Sequence, residues 1–209
     1  MRTWLSWMGS LGLGLAAPPA GADTGPDTRH TVLLVQPLRM GTGTLGLGVE
    51  HAVGERVALS GALHGSLVVD SFRLAPGIDP ATSQRVGVDV DPGVHVYLTG
   101  RAPEGLWVGP HLEASWERNT TQTFLFDGVT RRPVELRSTT LYYGASARVG
   151  YTAILAPGLS AQVGLGLTAL RIHAVTRNPT RDGSETVEVT TNRPWSVAPR
   201  LMVGVGWAF

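Results

Sequence analysis

His64-Gly65-Ser66 sets an imidazole and a hydroxyl two residues apart, with Glu50 upstream. Hydrolysis uses that trio as base, nucleophile and orienting carboxylate. A second group of titratable residues comprises Asp89, Asp91, Glu113, Glu117, Arg85, Arg148 and Arg200, with His95 and His111. A third is rich in arginine: Arg73, Arg118, Arg131, Arg132, Arg137, Arg177, Arg181 and Arg193. Lys is absent, so all 17 basic residues are Arg, the side chain best shaped to grip phosphate. The six His are scattered and no H-E-x-x-H pair occurs, so neither a metal nor another cofactor is expected. The glycine-rich GTGTLGLG precedes no helix, which removes a nucleotide-binding reading. With no Cys, disulfides, thiolate metal sites and Cys nucleophiles are excluded. A net charge of +1 over 209 residues argues against a nucleic-acid partner.

These residues are carried by alternating segments. Beyond residue 30 the chain shows almost no helical period and a recurrent period of two, the mark of strands with unlike faces. In 85–99, Val86, Val88, Val90, Val94, Val96 and Leu98 share one face. Arg85, Asp89, Asp91, His95 and Tyr97 share the other. In 105–118, Leu106, Val108, Leu112, Ala114 and Trp116 oppose Gly109, His111, Glu113, Ser115 and Glu117. The pattern predicts eight strands, at about 31–38, 42–53, 56–69, 85–99, 105–118, 138–154, 159–176 and 193–209. Short connections (54–55, 100–104, 156–158) alternate with long polar ones (70–84, 119–137, 177–192). The Thr-rich NTTQTF and ETVEVTTN have the composition to extend strands as hairpins into those long connections.

Short and long connections in alternation are the layout of a membrane barrel. A soluble sandwich would carry long charged side chains on its polar faces. Here those faces are Gly, Ser, Thr and Ala with isolated charges, which suits a narrow lumen, and the opposite faces are almost uncharged. Hydrophobic residues make up 43% and charged residues only 16%. Trp116, Tyr143 and Trp195 fall near one end of their strands, and Tyr151, Trp207 and Phe209 near the other, as two aromatic girdles would. Pro92, Pro110 and Pro199 interrupt strands on the apolar face, and bulges are expected there. Residues 1–22 read as a cleaved secretory signal, with Arg2, an apolar run from Trp4 to Ala17 and Ala20-Gly21-Ala22 as the cleavage site. Residues 23–30 form a short polar lead-in, and 31–209 form the barrel.

The last strand, WSVAPRLMVGVGWAF, ends in Phe209 with Trp207, Val205, Val203 and Leu201 stepping back by two. It resembles the assembly signal of bacterial outer-membrane barrels, with Trp207 and Phe209 as its anchors. The chain from 31 onward is similar to small eight-stranded outer-membrane barrels of the OmpA/OmpX/OmpW, or opacity-like, type. YLTGRAPEGLWVGPHLEASW also resembles a family of bacterial envelope proteins of uncharacterised role. The resemblance implies an all-β, eight-stranded, antiparallel, up-and-down transmembrane barrel of the Gram-negative outer membrane. Implied partners are the barrel-insertion machinery, membrane lipid and lipopolysaccharide.

An eight-stranded barrel has room inside only for side chains. Charges on its inner face must therefore pair. Asp91, Glu113 and Arg148 fall at similar depth on consecutive strands, so Arg148 is expected to bridge Asp91 and Glu113, with Arg200 reaching across the lumen. That predicts a structural plug rather than a pore. Small outer-membrane lipid A deacylases carry a His-x-Ser pair, but His64 and Ser66 have lumen parity, out of a lipid's reach, so no enzyme is expected. Arg118, Arg131, Arg132 and Arg193 are the expected contacts to lipopolysaccharide phosphates. The expected role is structural or surface-interacting, as a monomer. The alternatives are a soluble periplasmic lipocalin-like barrel, a small pore or a lipid A-modifying enzyme.

Overall fold

A computed structural model describes residues 29–36, 44–72, 81–126, 131–179, 185–191 and 195–209. The expected signal at 1–22, most of the lead-in at 23–30, and Arg73, Arg181 and Arg193 lie outside them. The described residues form nine strands: β1 (Thr31–Gln36), β2 (Thr44–Ala52), β3 (Val57–Phe72), β4 (Ala81–Tyr97), β5 (Gly105–Phe126), β6 (Arg131–Ile154), β7 (Leu159–Pro179), β8 (Glu185–Thr191) and β9 (Ser196–Ala208).

Neighbours in sequence pair antiparallel from β1 to β7, β7 also pairs with β9, and β9 pairs back onto β1. Strands β1 to β7 and β9 thus close a ring of eight. The closing seam runs from Val32↔Ala208 to Val35↔Val205. Phe209 extends it: its N–H donates to the Thr31 carbonyl at 2.9 Å, and its own carbonyl accepts from the Thr31 N–H at 3.0 Å.

Two stretches expected as long connections are largely strand. β5 and β6 pair as far as Phe126↔Arg131, and ETVEVTT forms β8 against the upper part of β7. β8 continues the line of β9. His173 faces Thr191 and Leu170 faces Ser196, so three steps along β7 match five on the opposing segment. The single strand expected at 193–209 is thus shorter, and a two-residue slip separates it from its outward continuation.

The bulges expected at proline are absent from the described ladders. The β4–β5 register is the same on both sides of Pro92 and Pro110, from Val90↔Ala114 through Gly93↔His111 to Val96↔Val108. Pro92 still faces Gly61 on β3, and Pro110 faces Ala147 on β6. Each ring therefore turns its missing N–H toward the same β4–β5 seam. The ladder skips pairs there instead of inserting a residue. Pro199 pairs with Leu167 of β7, at a level beyond the described β1–β9 pairs.

The alternation has the predicted sign. Val88, Val96 and Leu112 are exposed, Leu112 at 65%, whereas Arg148 is 5% and Glu113 4% exposed. Val203 is half-buried. The inside is shared between polar side chains and two small apolar clusters, one of Ala58, Tyr97, Trp107 and Met202 and the other of Val32, Leu34 and Ala208.

Candidate functional site: a polar network through the lumen

Inward parity places one polar side chain every second residue, and ring closure brings those of distant strands together. Arg148 on β6 sits at the centre. Its Nη2 lies 2.6 Å from Glu113 Oε1 and 2.7 Å from Asp91 Oδ2, and its Nε donates to Ser146 Oγ at 3.0 Å. Arg200 on β9 reaches the same carboxylates from across the ring, 3.3 Å from Glu113 Oε2 and 3.7 Å from Asp91 Oδ2. Thr168 Oγ1 donates to Glu113 Oε1 at 3.1 Å. Arg200 Nη2 also lies 3.9 Å from Asp89 Oδ1, so three carboxylates face the two guanidiniums. All four residues singled out in the sequence meet here.

The network runs on toward the end that carries the short turns. Asp91 Oδ1 accepts from His111 Nδ1 at 2.9 Å, His111 Nε2 meets His95 Nε2 at 3.1 Å, and His95 Nδ1 meets Glu50 Oε1 at 2.9 Å. Glu50 also accepts from Tyr97 Oη at 2.5 Å and from Gln162 Nε2 at 2.8 Å. Gln162 and the indole of Trp107 both donate to Thr152 Oγ1. His95 stacks flat on Trp107, with ring centroids 3.7 Å apart. Tyr97 Oη lies 3.0 Å from the Pro103 carbonyl, which ties the network to the turn that caps this end.

Toward the opposite end, His64 Nδ1 lies 2.7 Å from Asp89 Oδ1, and His64 Nε2 lies 2.7 Å from Gln36 Oε1. Both ring nitrogens of His64 are engaged, neither with Ser66. Glu50 is bonded to His95 instead. The hydrolytic trio suggested by residue types is not assembled. Among the described residues, no group of three or more His, Asp or Glu is placed to hold a metal ion.

Glycine on the inner face makes room for the rings. A Cβ on Gly46 would lie 2.3 Å from the His64 ring, and one on Gly93 would lie 2.3 Å from His111. The free spaces within the network are about 20 and 10 Å³. Each has room for about one water molecule.

Of the residues expected to meet phosphate, Arg118 is exposed on the outer face of β5. Arg131 and Arg132 begin β6 opposite Phe126 and Leu125, at the hairpin tip. Trp107, Thr152, Gln162 and Thr168 belong to the network but were not singled out in the sequence. Trp107 shares parity with His111 and could have been found by that signal.

No protein-family model matches the chain, and no curated protein matches it. Among solved structures the chain is similar to CarO2 of Acinetobacter baumannii, at 12% identity and TM-score 0.47, covering 87% of this chain and 98% of that one. CarO of the same organism matches at 11% identity and TM-score 0.47, over 86% and 97%. A major outer membrane protein from Thermus thermophilus matches at 17% identity and TM-score 0.43, over 87% and 99%.

Proposed function

We propose that the chain is an integral outer-membrane β-barrel with a structural or surface-interaction role, no continuous pore and no enzymatic activity. One observation carries this reading: the closed ring is inside out relative to a soluble protein, with Leu and Val rows outside and paired charges within. A lipocalin-like soluble barrel needs the opposite sign. A large exposed apolar surface is stable only against an apolar solvent, and a closed ring leaves no backbone edge to satisfy there.

The aromatic spacing supports the same solvent. Tyr143 and Tyr151, both exposed, are eight residues apart on β6, and Trp195 and Trp207 are twelve apart along the β9 line. At ~3.4 Å per residue and a tilt of ~40°, these spans are ~21 and ~31 Å across the bilayer, which brackets the ~25 Å apolar band of such barrels. The filled lumen supports a plug rather than a channel. Trp207 and Phe209 at the closing seam fit the role of an assembly signal read by the insertion machinery, and nothing in the reading requires more than a monomer.

The test is cell fractionation combined with gel mobility before and after heating. The full chain is expected in the outer-membrane fraction, with a faster-migrating unheated band. Recovery in the soluble periplasmic fraction, or mobility unaffected by heat, would overturn the reading.

A further inference from the structure

The outer wall of β5, β6 and β7 carries cations where an apolar surface ends. Outward side chains form rows across the three strands. One row holds Ala114, Tyr143 and Arg171, and the next holds Trp116, Leu141 and His173. Arg118, Thr139 and Val175 follow, and then Thr120, Arg137 and Arg177. Successive rows are two residues apart, about 7 Å along the strand. The first two rows are aromatic and aliphatic, and the arginines begin among them and continue immediately beyond.

Three observations make this more than solvated charge. Arg137 and Arg177 face each other directly across the β6–β7 ladder, which sets two like charges at one level of the wall. Arg171 lies 5.8 Å over the Trp195 ring, and its Nε is buried with no hydrogen-bond partner among the described residues. Among the described residues, Arg118 and Arg177 make no ion pair within 4.0 Å, while Arg137 takes the neighbouring Glu135. The Arg137 hydrogen bond, with the charges of Arg137 and Arg118, holds the Glu135 carboxyl below the usual carboxylate range, and this one carboxylate offsets one cation of four.

We propose that Arg118, Arg137, Arg171 and Arg177 form a binding site for the phosphates of a lipid A-type glycolipid in the outer leaflet. The inference rests on the membrane reading above and names the partner of that surface. Acyl chains would lie along Leu141, Trp116 and Tyr143, and the headgroup phosphates would meet the guanidiniums one to two rows higher. A free anion would not need the apolar rows beneath. Of the four arginines expected from sequence to contact lipopolysaccharide, Arg118 alone lies in this patch.

The full chain, refolded in detergent micelles, is titrated with bisphosphorylated lipid A and observed by native mass spectrometry. Arg118→Gln with Arg177→Gln should weaken binding by about a hundredfold, since each lost charged hydrogen bond is worth roughly 1.5 kcal/mol, or about tenfold. Lipid A stripped of both phosphates should bind the unaltered protein as weakly. Heat-modifiable mobility of the double variant shows that its barrel has closed, and Arg171→Gln gives an independent second variant. Equal lipid A binding by both variants with mobility intact would overturn the site and leave the barrel reading standing. Displacement of lipid A by millimolar inorganic phosphate would also overturn it. Loss of heat-modifiable mobility in the unaltered protein would instead overturn the barrel.

Discussion

Glu113 pairs with both Arg148 and Arg200, and its removal is informative because it is the nearest carboxylate to each. Glu113→Ala leaves Arg148 dependent on Asp91 and Ser146, and Arg200 on Asp91 and Asp89 at 3.7 and 3.9 Å. Breaking a buried pair from one side costs about 3–5 kcal/mol. Urea unfolding in lipid vesicles, followed by tryptophan fluorescence, should show a fall of that order. Unchanged stability would mean that the lumen charges are solvated rather than paired. Glycine offers a complementary test. Gly93→Ala pushes a methyl into the His111 ring and should cost about 1–3 kcal/mol as overpacking. Gly65→Ala, where nothing lies within 4 Å, should be close to neutral in the same assay.

Among the elements, the β4–β5 seam is the weak ladder of the wall. Pro92 and Pro110 each withhold a donor from it, and its register nonetheless holds. Pro110→Val would restore an N–H opposite β4 and should raise the urea midpoint by about 0.5–1.5 kcal/mol equivalent, the net worth of one hydrogen bond. A lower midpoint would show that the seam has no room for the pair. Sequence reasoning expected bulges here because it considered each proline alone. Two prolines that turn to one seam can share a local gap, and that follows only once both neighbours of each strand are known. The β7–β8 extension was legible in ETVEVTT from strand propensity. The slip separating β8 from β9 was not, because parity is unchanged by a shift of two residues.

For the molecule as a whole, period-two alternation carried most of the fold. Connection lengths gave the antiparallel order, and small polar faces gave the sign of the inside. Asp91, Glu113 and Arg148 were legible as a cluster because they sit on consecutive strands, where depth can be counted from the turns. The contact of Gln162 with Glu50 spans 112 residues and crosses the lumen. It depends on shear and closure, which a linear pattern does not encode. Among the described residues, the cavities within the network are about 20 and 10 Å³, so planar-bilayer recordings should show no discrete conductance steps. Regular single-channel openings would contradict a sealed lumen. The central claim is that the Leu and Val rows face acyl chains. With no Cys in the chain, Leu112→Cys and Val163→Cys each give one unique thiol for a nitroxide label. In lipid vesicles, both labels should relax strongly with dissolved oxygen and weakly with a water-soluble nickel chelate. Ready access of the nickel chelate, with little effect of oxygen, would show those rows facing water and contradict the account.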